Sequence, residues 1–245
     1  MNKYNLPTHK ECLAIIKAYH VPPHIVNHSM VVAELAVFLA RKLKEKGETV
    51  DLNLTESACL LHDIVRVCDI KELDYSRIGR PVTDEDKAKW NQLQKKYEEI
   101  PHEDAAYDIL KEKYPALALT IRKHKYTALL DEKEKPDTWE EKLVYYADKR
   151  VMHDKIVSLQ ERLTEGHKRH ALFSESHSKR KSIIAKVDPL IFKMEKEIFN
   201  RIGLNPLDIT DDIIDSNSVI DTDNRSNLRP VEQSEVGNSR ANPGI

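Results

Sequence analysis

Glycine is scarce in this sequence, at 6 of 245 residues, and cysteine scarcer still, at 3. Leu, Ala, Lys and Glu dominate the regular segments, which favours helix over sheet. No alternating strand pattern is convincing, so the expected fold is all-α. Cys12, Cys59 and Cys68 form no C-x-x-C pair. They suit neither a disulfide framework nor a thiolate metal site, and a reducing cytoplasmic setting is expected. Charge of one sign is also lacking: 39 basic against 41 acidic residues leave a net of -2. No global field then argues for nucleic acid or membrane. No signal segment or long apolar run stands out, so no membrane span is expected.

What is present is a chain of helix signals. Thr8 caps a helix to about residue 20, and Val21-Pro22-Pro23 ends it. A long helix runs from Pro23 to about residue 46, with Gly47 as its stop. Its apolar stripe is Ile25, Val32, Leu35 and Leu39. Thr55 reads as the cap of LTESACLLHDIVRV. Residues 69–101 are polar and read as an insert or lid, with a solvated helix opened by Thr83-Asp84-Glu85-Asp86. Tyr75, Arg77, Arg80 and Trp90 could close it over a substrate. Pro101, Pro115 and Thr138 open three further helices. Charged helices follow at about 155–170 and 176–201, with Pro189 inside the last. Residues 205–245 carry eight acidic and three basic groups and no aromatic. They read as a mostly disordered acidic tail, in which Asp211–Asp215 keeps isoleucines that could dock weakly, leaving a domain over residues 1–204.

Ionisable groups on apolar faces carry the chemistry. His28 lies on the stripe of the second helix. His62-Asp63 is flanked by Leu60-Leu61 and Ile64-Val65. His102 precedes Ala105-Ala106, His124 follows Leu117 and Ile121, and Asp148 lies between Val144 and Val151. Four imidazoles and two carboxylates turned toward one core are hard to satisfy by mutual hydrogen bonds. Divalent cations would satisfy them all. Imidazole and carboxylate without thiolate suit iron or manganese, then cobalt, nickel or zinc, rather than calcium or magnesium. Six groups are too many for one tetrahedral zinc and about right for two metals bridged by a carboxylate. A second pair, His153-Asp154, sits beside Lys155 in a charged stretch and reads as a solvated decoy.

The order HS (28), LLHD (62–63), PHEDAAYDIL (102), IRKHKY (124) and EKLVYYAD (148) resembles the HD superfamily of metal-dependent phosphohydrolases. The two extra histidines are similar to its dinuclear branch, which includes the symmetrical diadenosine-tetraphosphate hydrolases. The resemblance implies an HD-domain helical bundle. It implies that His28, His62, Asp63 and Asp148 hold one metal, that Asp63 bridges, and that His102 and His124 complete the second. No GYP signature is present, which argues against cyclic-di-GMP. Arg66 stands where the diadenosine-tetraphosphate hydrolases usually carry Lys, and a guanidinium there suits phosphate. With Asp63 it is the expected catalytic pair. Lys125, Lys149 and Arg150 are further candidate substrate contacts.

The expected activity is hydrolysis of a phosphate ester or anhydride in a nucleotide or related small phosphoester. Two alternatives stand beside it. One is a 2′,3′-cyclic phosphodiesterase or RNA-end-processing enzyme, for which residues 162–186, with seven basic and two acidic groups, could meet a phosphate backbone. The other is a non-catalytic metal-binding regulatory module.

Overall fold

The computed structural model describes residues 4–70, 73–171 and 177–217. They form helices α1 (His9–Ala18), α2 (Pro23–Glu45), α3 (Leu52–Leu61), α4 (Asp84–Lys96), α5 (His102–Leu110), α6 (Pro115–Arg122), α7 (Trp139–Asp148), α8 (Leu159–Ala171), α9 (His177–Ile202) and α10 (Asp211–Asn217). One antiparallel hairpin joins β1 (Val151–Met152) to β2 (Lys155–Ile156). Capping boxes at Thr8, Thr83 and Thr138 start α1, α4 and α7. Pro23 and Pro115 sit in the first turns of α2 and α6, where a missing N–H costs nothing. Gly47 ends α2 with φ +86°, a conformation that glycine adopts without a Cβ penalty.

Helix α2 is the axis of the bundle. It packs on α3, α7 and α9 and buries residues on nearly all sides, including Ile25, Val32, Leu35 and Leu39. By length and composition it is apolar enough to cross a membrane. Here that apolar surface is spent on its neighbours, as expected for a central core helix. Helix α3 packs on α1, α6 and α7, and α5 packs on α6. The four elements that carry His28, His62, His124 and Asp148 therefore meet at one place.

Five sequence expectations are corrected. Asp51, not Thr55, caps α3, accepting from the N–H groups of Asn53 and Leu54; Thr55 Oγ1 instead donates to the Asp51 carbonyl inside the first turn. The helix stops at Leu61 and does not run on through Val67. His62 Nδ1 takes the Cys59 carbonyl at 2.6 Å, the acceptor that the Asp63 N–H would need to continue the helix. The chain then tightens into a 3-10 turn, Arg66–Asp69.

The helix of the 69–101 segment is not simply solvated. Ile78, Trp90, Leu93 and Tyr97 are buried, and Trp90 Nε1 donates to the His20 carbonyl at 2.7 Å. The side chain of Arg77, one of its expected lid groups, lies outside the described residues. Residues 153–154 form a hairpin turn, with His153 at φ +59°, so α8 begins at Leu159. Finally, the fold does not end at 204. Ile209 and Ile214 are buried, and α10 packs on α2, so the expected tail is ordered through 217. Its remainder, 218–245, lies outside the described residues, as does the 172–176 part of the basic stretch.

Asp86 anchors α4. Arg80 grips both its oxygens at 2.6 and 3.1 Å, and His20 Nδ1 and the Thr83 N–H add bonds at 2.9 and 3.0 Å. The Arg80 guanidinium, against the cost of burial, holds the Asp86 carboxyl well below the usual carboxylate range. A depressed carboxylate stabilises the fold above its unfolded pKa of about 3.9, and this contribution is lost as pH falls toward the folded value. Asp86→Asn is expected to cost about 1–2 kcal/mol at pH 7, discounted because Arg80 is solvent-exposed. Urea midpoints should show that gap closing below about pH 4; a gap independent of pH would refute the ion-pair account.

Candidate metal centre

Each of the four core histidines uses one ring nitrogen to hold itself and turns the other inward. His28 Nδ1 lies 2.8 Å from the His153 carbonyl. His62 Nδ1 lies 2.6 Å from the Cys59 carbonyl, and His124 Nδ1 2.5 Å from that of Ile121. His102 Nδ1 lies 2.6 Å from Asp69 Oδ2. A carbonyl accepts only, so Nδ1 of His28, His62 and His124 carries the proton and Nε2 is left as a donor of electrons. This is how metal-ligating histidines are oriented. His62 and His124 use the same local device, bonding the carbonyl three residues back at the end of α3 and of α6.

The inward atoms converge on two carboxylates. His28 Nε2 is 3.1 Å from Asp148 Oδ1, and His62 Nε2 is 3.7 Å from the same oxygen and 3.6 Å from Asp63 Oδ2. Asp63 Oδ1 is 3.0 Å from His102 Nε2 and 4.0 Å from His124 Nε2. Asp63 thus touches both halves. Two ligand sets are compact enough to hold a metal ion, His28–His62–Asp63 and Asp63–His102–His124. A third set, Asp69–His102–Glu103, adjoins them, but there Arg66 already donates to Asp69 Oδ2 at 3.0 Å.

Two observations fit divalent cations. His62 is wholly buried, yet its Nε2 has no hydrogen-bond partner among the described residues. The Nε2 atoms of His102 and His124 face each other at 3.2 Å, a clash of lone pairs unless a proton or a metal lies between. Electrostatics agree. Burial pushes His124 well below its ordinary pKa, helped by His62, His102 and Lys149. Burial and Arg66 push His102 down too, but Asp63, Asp69 and Glu103 outweigh them and raise it to about 9. Burial would raise both aspartates. Instead His62, His102 and Arg66 hold Asp63 far below its usual range, and Lys149, His28 and His62 do the same for Asp148.

The basic candidates separate. Arg66 NH1 stands 2.8 and 3.3 Å from the two nitrogens of His102. That near-equality lays the guanidinium over the ring, beside the second half of the site. It reaches there from the 3-10 turn that follows α3. Lys149 is buried and donates to the His124 carbonyl at 2.7 Å and Asp148 Oδ2 at 2.9 Å. It ties the two halves together through these protein acceptors. Lys125 is engaged by Asp104.

Arg150 is a correction. It is 1% exposed and donates to the carbonyls of Val157, Pro206 and Ile209 and to Tyr146 Oη. It is a structural pin for the C-terminal segment, not a substrate contact. The supposed decoy His153-Asp154 lends its backbone carbonyl to His28. Sequence reasoning missed Asp69 and Glu103. A carboxylate six residues after Asp63 has no fixed facing until the chain leaves the α-helix.

The model of the HD domain family matches residues 25–152, a stretch that includes all six candidate ligands. The chain is also 26% identical over 156 residues to the tRNA (cytidine(56)-2'-O)-methyltransferase of Thermoplasma volcanium. That match covers 64% of this chain and 40% of the methyltransferase, so the chain spans less than half of that relative's length. No solved structure matches the chain.

Proposed function

This chain belongs to the HD-domain family of metal-dependent phosphohydrolases, and from that premise we propose that it hydrolyses a phosphate ester or anhydride bond of a nucleotide or related small phosphoester at a site for two divalent transition metals. The observation that carries the reading is the convergence of four Nε2 atoms on Asp63 and Asp148, with each opposite nitrogen held. His28, His62, Asp63 and Asp148 would hold one ion, and Asp63, His102 and His124 the other. Such ions supply a water of lowered pKa and a clamp for phosphoryl oxygens.

The chain's own groups do the rest. Asp63 and Asp148 stay ionised across the neutral range. Lys149 fixes Asp148 through Oδ2, leaving Oδ1 to face His28 and His62. Arg66, kept cationic by Asp63, Asp69 and Glu103 against the cost of burial, stands beside His102 to neutralise charge growing on phosphoryl oxygens. Iron or manganese suits this thiolate-free set best, with cobalt, nickel and zinc behind.

The tRNA-modifying relative favours one second reading, in which the phosphoester is a 2′,3′-cyclic phosphate or another RNA end. A turnover panel decides between them. Mononucleotides, deoxynucleotides, dinucleoside polyphosphates, 2′,3′-cyclic nucleotides and cyclic-phosphate RNA ends are incubated anaerobically with manganese or iron. Turnover of one class of free nucleotide is expected. Cleavage confined to RNA ends would favour the second reading. Metal uptake with no turnover of any compound would refute both and leave a regulatory module.

A further inference from the structure

Asp69 lies in the stretch that the sequence marks as an insert, yet both its oxygens serve His102. Oδ1 accepts the His102 backbone N–H at 3.1 Å, and Oδ2 lies 2.6 Å from its Nδ1. Pro101 gives α5 no side-chain cap, so Asp69 replaces that cap from 33 residues away and grips the ring as well. Asp69 is itself braced. Gln94 of α4 donates to the Val67 carbonyl at 3.2 Å and the Ile70 carbonyl at 2.6 Å, on either side of it. Cys68 Sγ meets the Leu93 carbonyl at 3.6 Å. Trp90 and Asp86 then fix α4 to the end of α1.

Resting on the dinuclear reading above, we propose that Asp69 is a positioning residue that sets the His102 ring with Nε2 toward Asp63 and His124, and that α4 braces it through Gln94. The insert is then a support for one half of the metal centre, not a lid. The plainer account makes Asp69 a helix cap and an ion-pair partner of Arg66. A cap alone would not hold Nδ1, and an Arg66 partner alone would not need Gln94 on both flanking carbonyls.

Full-length Asp69→Ala and Gln94→Leu test this in two ways. In metal-free protein, ¹H–¹⁵N NMR should show an exchange-protected His102 Nδ1–H that Asp69→Ala loses. The His28 Nδ1–H, held by the His153 carbonyl, should persist as the sign of an intact fold. In manganese titrations the wild type should take two equivalents. Asp69→Ala should weaken one of them by about 10–100-fold and leave the other unchanged, with Gln94→Leu acting in the same direction and less.

Retention of both the protected His102 signal and wild-type manganese affinity in Asp69→Ala would overturn the proposal. So would equal weakening of both equivalents, the mark of a merely structural role. A wild type that takes up no manganese would end the dinuclear reading, while the His102 resonance would still decide what Asp69 does.

Discussion

Asp63→Ala is expected to lower phosphoester turnover by roughly ten-thousand-fold or more, about 5.5 kcal/mol of transition-state stabilisation. The expectation comes from where its oxygens lie. Oδ2 faces His62, and Oδ1 faces His102 and His124. No other candidate ligand belongs to both compact sets. Removing His28 strips one half; removing Asp63 strips the shared corner of both. It also deletes an anion that offsets Arg66 and the imidazoles around it, so cations would meet a less negative cavity. Turnover per folded molecule and bound manganese should fall together. A variant that keeps turnover within tenfold of wild type, with metal still bound, would remove Asp63 from the centre.

The second large effect concerns stability. Arg150→Met is expected to cost about 3–5 kcal/mol, because it strands buried acceptors and not merely one ion pair. The Val157 and Ile209 carbonyls and Tyr146 Oη would lose the Arg150 donor, the Pro206 carbonyl would keep only the Ile209 N–H, and Glu195 Oε2, 3.7 Å away, would lose its neighbouring cation. Methionine fills the space and satisfies none of them. Urea denaturation should show the loss, and limited proteolysis should cut between 203 and 217 in the variant before the wild type. The same variant separates structure from chemistry: turnover per folded molecule should stay near wild type. A large fall in kcat with unchanged stability would return Arg150 to the substrate.

The two arginines show what the sequence discloses. His28, His62, Asp63, His124 and Asp148 stand out in the sequence because each interrupts an apolar run, although His62, Asp63 and His124 lie just past their helices. The capping boxes at Thr8, Thr83 and Thr138 are legible because they close within three residues. Arg150 is not, since its partners lie 56 and 59 residues on, and nothing near it distinguishes a buried guanidinium from a surface one. Asp69 and Gln94 are hidden for the same reason: their work depends on α4 folding back over the 3-10 turn. Residues 69–101 look like a solvated insert because Trp90, Leu93 and Tyr97 are few among many charges, though three well-placed side chains suffice to dock a short helix. Thr55 and Asp51 are both good caps, and only the tertiary fit of Leu52 and Leu54 selects the earlier start.

The ends of the helices add a consequence. Asp148 closes α7, His62 comes directly after α3, and His124 is the second residue after α6. Three helix C-termini therefore point at the metal centre, and each brings roughly half a negative charge from its unpaired carbonyls. Helix α5, which begins at His102, brings its positive end, already met by Asp69 Oδ1. A cation approaching the site meets two carboxylates and three negative dipoles, an attractive field. The backbone thus adds to the attraction that Asp63 and Asp148 exert on a cation.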